Sequence, residues 1–185
     1  MVSDKPAFKE SPEYQSVKDL FESDEVISVA HNAAFDLAMF AREGILPKRA
    51  ICTYKLAYEL DPNDALPNYR LQYLRYLLDL DVEADAHDAL GDVLVLEALF
   101  ERLSKKMMER HGTEEAALEA MLAISAQPLL FTTIRFGKYN GKRIDEVAAT
   151  DPSYLQWLLA EKKKSPAGEE DWIYTIEHYI NRPIP

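Results

Sequence analysis

From Ala89 to Leu103 apolar residues fall on almost every face of a predicted helix: Leu90, Val93, Leu94, Val95, Leu96, Leu99, Phe100 and Leu103. A helix that is apolar all round is expected to be buried, so the chain must fold with other elements packed around it. Within this helix stands Asp92. A carboxylate is seldom fully buried without a partner, and an uncompensated one costs several kcal/mol or becomes protonated. Asp92 therefore needs a cation, a donor or a metal ion. A buried salt bridge or a capped backbone group satisfies that need as well as a functional site does. The helix is expected to run on to Arg110, a cationic end that suits the helix dipole, and to stop at Gly112.

The stretch before it alternates short strands and helices. Val26–Ala30 is a β-branched run expected as a buried strand. Asn32 is expected to cap a helix from Ala33 to Arg42 that ends at Gly44. Arg49–Cys52 reads as a second strand, followed by helices over Thr53–Leu60 and Leu71–Leu78. Thr113 is placed to cap a connecting helix, Glu114–Ala123, and Pro128 marks a boundary. Beyond it Phe131–Phe136 reads as a strand entering a hairpin at Asn140-Gly141, with two further helices near Pro152–Lys162 and Glu169–Ile180. The pattern predicts an α/β unit over residues 1–112, a connecting helix over 113–127, and a small α+β module over 128–185.

Two more residues join Asp92 as candidates. Asp36 lies in the first turn of its helix, just past the C-terminal end of a strand. A favourable charge on the helix dipole explains it, but α/β sheets also bind ligands at that place. His87 precedes Asp92 by five residues, in Ala86-His87-Asp88-Ala89-Leu90-Gly91-Asp92. By itself it reads as a surface residue of a first turn. The small Ala89 and Gly91 nevertheless leave room for a ligand beside the helix.

With 185 residues, 48% of them hydrophobic, the chain can build a core for one domain and a smaller second one. Its single cysteine, Cys52, excludes an internal disulfide and suits a reducing compartment. The first six residues contain no apolar signal region, and no apolar run approaches the roughly 20 residues that span a bilayer. A soluble, cytoplasmic protein without a membrane partner is expected. The net charge of −11 falls entirely within residues 1–127. Residues 128–185 are neutral and hold Arg135, Lys138, Lys142 and Arg143 close together. That cluster, with Tyr139 available for base stacking, predicts a DNA contact; a solvated hairpin or a protein-docking face reads equally well.

Taken together, these segments resemble the DEDDh exonucleases, the group that includes polymerase proofreading subunits. His31-Asn32-Ala33-Ala34-Phe35-Asp36 is similar to the family's second motif, and His87-x-Ala89-x-x-Asp92 to its third. Ile51–Ala57, Phe136–Lys142 and Asp151–Leu158 further resemble exodeoxyribonuclease X-like enzymes. The resemblance implies a ribonuclease-H-like fold and two-metal hydrolysis of DNA from its 3′ end, in repair or replication. Asp36 and Asp92 would bind Mg²⁺ or Mn²⁺, and His87 would be the general base. Asn32, Phe35, Lys138, Lys142 and Arg143 would touch single-stranded or 3′-ended DNA.

The family's first motif, Asp-x-Glu on the first strand, has no counterpart at the expected place. The sole Asp-x-Glu, Asp81-Val82-Glu83, lies in a polar loop and is set aside. The expectation is therefore an exonuclease fold lacking its first strands, with little activity of its own. The alternative is a non-catalytic nucleic-acid-binding or assembly protein derived from that fold.

Overall fold

In the computed structural model residues 8–82, 89–166 and 168–181 are described. A helix α1 (Tyr14–Phe21) leads into β1 (Ser28–Ala30), α2 (Ala33–Arg42), β2 (Ala50–Cys52) and α3 (Thr53–Glu59). Both strands are shorter than the apolar runs that contain them. They pair in parallel, with Ser28 opposite Ala50, Val29 opposite Ile51 and Ala30 opposite Cys52, and α2 makes the crossover. They form a two-stranded sheet among the described residues.

The two edges of this sheet differ. Ser28 N–H donates to the Arg49 carbonyl across the pair. Cys52 N–H points the other way and donates to Ser125 Oγ of α6 (Glu114–Ala126) at 2.9 Å, so side-chain chemistry closes the β2 edge. Backbone groups alternate along a strand. Val29, one residue beyond Ser28, therefore presents its N–H and C=O along the opposite edge of β1, which is open among the described residues.

Helix α4 (Leu71–Leu77) and the long α5 (Ala89–His111) pack beneath the sheet with α3 and α6. Val95, Leu99, Leu103 and Met107, spaced by four, face the core with Ile51, Leu56 and Met121. The opposite face of α5 corrects the expectation of burial all round: Leu90 is 67% exposed, Val93 55% and Leu94 39%. Its first two turns have a core on one side, and no strand among the described residues covers the other. Thr113 caps α6 as expected, accepting from Ala116 N–H at 3.2 Å.

A second core, built on Ile134, Ile144, Leu155 and Ile176, holds the C-terminal part together. Its helices are α7 (Ile144–Thr150), α8 (Pro152–Lys164) and α9 (Glu170–Asn181). Of these, α7 was not expected. Nor does Phe131–Phe136 form the predicted strand: Thr133 and Arg143 make an isolated antiparallel bridge instead. The reason lies in where its backbone donors go. Phe131 N–H bonds Thr175 Oγ1 and Thr132 N–H bonds Tyr58 Oη, both at 3.0 Å, so side chains take the place of a strand partner. The turn falls where Asn140-Gly141 predicted it. Lys142 N–H returns to the Tyr139 carbonyl at 3.0 Å, with Gly141 at φ 80° as the third residue of a type II turn. The two cores meet through Tyr58, edge-on to Phe131 at 5.5 Å.

Candidate functional site

The link from β1 to α2 is only two residues long, His31-Asn32. Asn32 does precede the helix, but not as the expected side-chain cap. It takes the left-handed conformation, φ 66° and ψ 51°, and makes no side-chain cap bond. Asparagine tolerates that region better than most residues. Its carbonyl accepts from Phe35 N–H at 3.0 Å, and Ala33 N–H turns to Cys52 Sγ at 3.4 Å.

His31 anchors the link from the other side. Its Nε2 lies 2.7 Å from the Tyr69 carbonyl and so carries the proton, while Nδ1 lies 2.9 Å from Thr53 Oγ1 and accepts from that hydroxyl in the neutral ring. Burial pushes the His31 pKa below its usual value, in keeping with a neutral, structural imidazole.

These restraints put Asp36, in the first turn of α2, beside the open edge of β1. Asp92, in the first turn of α5, faces the same space. Both line one cavity of about 420 Å³ whose floor is Ser28–Ala30 and whose walls include Phe21, Phe40 and Leu96. Asp36 is half-buried, and that burial raises its carboxyl pKa. Asp92 Oδ1 accepts from Gln72 Nε2 of α4 at 2.6 Å. Gln72 Oε1 and Ser28 Oγ are buried without a hydrogen-bond partner among the described residues.

The other sequence candidates lie elsewhere. His87 is outside the described residues, as is Glu83 of the loop Asp-x-Glu; Asp81 is exposed. Asn32 and Phe35 do not line the Asp36–Asp92 cavity, and Phe35 is 65% exposed.

The basic cluster of the C-terminal part is largely neutralised. Lys138 pairs with Asp151 at 3.1 Å and lies over the Tyr139 ring. Arg143 grips both carboxylate oxygens of Asp145, at 3.1 and 2.9 Å. Arg135 pairs with Asp64 and lies over the Tyr69 ring. Tyr139, expected to stack on a base, packs edge-on against Tyr154 and donates to Asp151 at 2.7 Å. Lys142 is exposed and in no ion pair among the described residues.

Sequence reasoning missed the supporting contacts. Tyr69 Oη is 2.9 Å from Asp61 and 3.0 Å from Asp64, and Asp64 also accepts from Thr132 Oγ1 at 2.6 Å. A continuous chain of contacts thus runs from Arg135 through Asp64 and Tyr69 to His31. No periodicity or motif signals it, because its two end links, Arg135 to Asp64 and Tyr69 to His31, join segments seventy-one and thirty-eight residues apart.

Comparison with known proteins agrees with this architecture. A family profile described as 3′-5′ exonuclease matches residues 3–109, and one described as Exodeoxyribonuclease X-like C-terminal matches residues 134–163. Two curated proteins named Exodeoxyribonuclease 10, from Escherichia coli strain K12 and from Escherichia coli O6:H1, are each 34% identical over 154 residues. The match covers 82% of this chain and 64% of each relative, so the chain spans less than two thirds of the length of the curated relatives it matches. No solved structure matches the chain significantly.

Proposed function

The chain belongs to the 3′-5′ exonuclease family, and on that premise we propose that it contributes the Asp36 and Asp92 ligands of a nuclease site acting on 3′-ended DNA. One observation carries this reading: two carboxylates from separate helices line a single cavity along the open edge of β1. DNA rather than RNA is favoured by the name of the relatives, Exodeoxyribonuclease 10. The setting would be DNA repair or replication. Residues 1–112 would form the nuclease unit, 113–127 the connection and 128–185 the appended module; the two cores support the boundary near 128, while Ala117 and Met121 of the connection pack into the first core.

The residues present fit a hard divalent cation, Mg²⁺ or Mn²⁺. Carboxylate oxygens are its preferred ligands, and a cation beside Asp36 offsets the cost of burying that charge. When bound, such ions supply the positive charge that polarises phosphate and water in phosphodiester hydrolysis. Gln72 holds Asp92 in one orientation and leaves its second oxygen for the cavity. His31, locked at both ring nitrogens, is a positioning residue for the turn that aims Asp36. His87 would take the proton of the attacking water at a ring nitrogen, a task an imidazole suits.

Among the described residues no group of three or more His, Cys, Asp or Glu side chains is placed to close around an ion. Two carboxylates are too few to fix two ions rigidly. The chain by itself is therefore expected to release few nucleotides. The alternative is a nucleic-acid-binding or assembly protein that does not cut.

A nuclease assay on 3′-ended single-stranded DNA with Mn²⁺ separates the two. It compares the chain with a version carrying an added Asp-x-Glu strand ahead of Met1. Nucleotide release by the extended protein, lost on Asp36→Asn or Asp92→Asn, is the expected result. An extended protein that folds and binds DNA without cutting supports the second reading.

A further inference from the structure

A second cavity, of about 320 Å³, lies beyond the C-terminal ends of the two strands, where the exonuclease unit meets the C-terminal part. His31, Asn32, Tyr54, Arg70, Asp171 and Trp172 are among the residues that line it. Its volume falls within the range of small-molecule sites. Neither Asp36 nor Asp92 lines it, yet it is not remote from them. His31 and Leu71 line both this cavity and the Asp36–Asp92 cavity. A chain leaving one over these two side chains enters the other. A larger cavity of about 470 Å³ continues the cleft between α3 and α9, sharing Asn32, Tyr54 and Asp171.

The lining carries the chemistry a nucleotide needs. Tyr54 and Trp172 are half-buried aromatic walls. Trp172 is held in place by Phe131, tilted at 4.6 Å, and by Phe136, edge-on at 4.9 Å, so its position is fixed before any ligand arrives. Arg70 is exposed at the mouth, and its guanidinium is in no ion pair among the described residues. Asp171, the acid of the cavity, already faces Lys55 at 3.4 Å and accepts Leu129 N–H at 2.8 Å, so its charge is offset within the protein. Asn32 offers an exposed amide from its left-handed turn. A cation for a phosphate, aromatic surface for a base and an amide for a base edge converge on one nucleotide-sized space. The basic hairpin, by contrast, has spent Lys138 and Arg143 on its own carboxylates.

We propose that this cleft is a nucleotide subsite for a single strand of DNA whose 3′ end enters the Asp36–Asp92 cavity. The strand would pass over His31 and Leu71, with a phosphate at Arg70 and a base against Tyr54 and Trp172. The C-terminal part would then shape the substrate path through Trp172 and Asp171 rather than through its hairpin. This rests on the nuclease reading above, but its test needs no turnover.

The chain has two tryptophans. In a Trp157→Phe background the remaining emission reports on Trp172. Titration with a fluorescently labelled single strand of about eight thymidylates, in EDTA to remove metal, follows binding by anisotropy and the cleft by Trp172 emission. The expected result is saturable quenching of Trp172 that parallels anisotropy. Arg70→Ala weakens it about tenfold, the loss of a charge-assisted phosphate contact, and Arg70→Lys recovers part of that loss. Asn32→Ala weakens binding with unchanged far-ultraviolet circular dichroism, a second variant at an exposed position. Binding seen by anisotropy with no change in Trp172 emission, and with the same affinity in Arg70→Ala, overturns the proposal. So does the absence of any binding in EDTA. Mn²⁺ calorimetry on the same protein reports on the Asp36–Asp92 cavity separately, so the failure of one reading is seen without the other.

Discussion

Asp36 shows how one carboxylate can be costly to the fold and useful to the site. Burial raises its pKa above the ordinary value of 3.8. A carboxyl whose folded pKa is raised contributes stability that is complete below its unfolded pKa and lost as pH rises through the folded one. At neutral pH the ionised Asp36 therefore works against the fold. Asp36→Asn is expected to raise the melting temperature at pH 7, with the gain shrinking to nothing near pH 3. The same substitution should weaken Mn²⁺ binding by about tenfold or more, measured by titration calorimetry, because it removes a charged ligand. A variant that gains stability and keeps its full Mn²⁺ affinity would show that Asp36 is a dipole residue and not a ligand. Asp64 has the opposite sign. Burial pushes its carboxyl up, but hydrogen bonds from Thr132, Thr133 and Arg135 outweigh that and hold it below the ordinary value. Its contribution is present above the unfolded pKa and lost as pH falls through the folded one. Asp64→Ala leaves the half-buried Arg135 and the Tyr69 hydroxyl without this partner and is expected to cost about 3 kcal/mol at pH 7 in denaturant unfolding.

At the scale of elements, the hairpin-like turn isolates a backbone effect. Gly141 has φ 80°, and a Cβ added there would meet nothing within 4 Å. Gly141→Ala is therefore free of steric clash and should cost only backbone strain, about 1 kcal/mol. A larger loss would mean that the turn supports more than its own bridge. Helix α5 presents the other element-scale question. Its buried stripe keeps a spacing of four, while Leu90, Val93 and Leu94 lie exposed, and Val93 lines the cavity along β1. An exposed apolar face next to a strand edge that no described strand pairs with favours association between chains. Concentration-dependent light scattering is expected for the purified chain. It should fall when Leu90 and Val93 are both changed to Lys, and unchanged scattering in that variant would place the contact on another face.

For the molecule as a whole, two cores are tied by a polar and aromatic seam, and that seam ends at the motif that carries Asp36. Arg135 holds Asp64, Asp64 accepts from Tyr69, and the Tyr69 carbonyl accepts from His31. Loosening the seam should be felt in the acidic cavity. Arg135→Ala removes neither carboxylate but is expected to lower Mn²⁺ affinity by a few-fold by shifting Asp36, since positional errors of about 1 Å degrade such sites. A Mn²⁺ affinity unchanged in a destabilised Arg135→Ala protein would limit the seam to a structural role.

What the sequence determined by itself was most of the local elements and the residues they carry, though not α7 or the bonding of Phe131–Phe136. The apolar spacing of α5, the β-branched run before His31 and the Asn140-Gly141 turn are short-range signals, and each specifies geometry within a few residues of itself. Asp36 and Asp92 were legible for the same reason: each stands at a marked place in its own element. The partners of the charged groups were not legible. Lys138 meets Asp151 thirteen residues on, and Arg135 meets Asp64 seventy-one residues back. Pairings of that kind depend on the path of the whole chain, so a basic cluster in sequence became a set of internal ion pairs in space. The same long-range path brings Arg70, Tyr54 and Trp172 to one cleft and leaves one face of α5 uncovered, because only packing decides which surfaces meet.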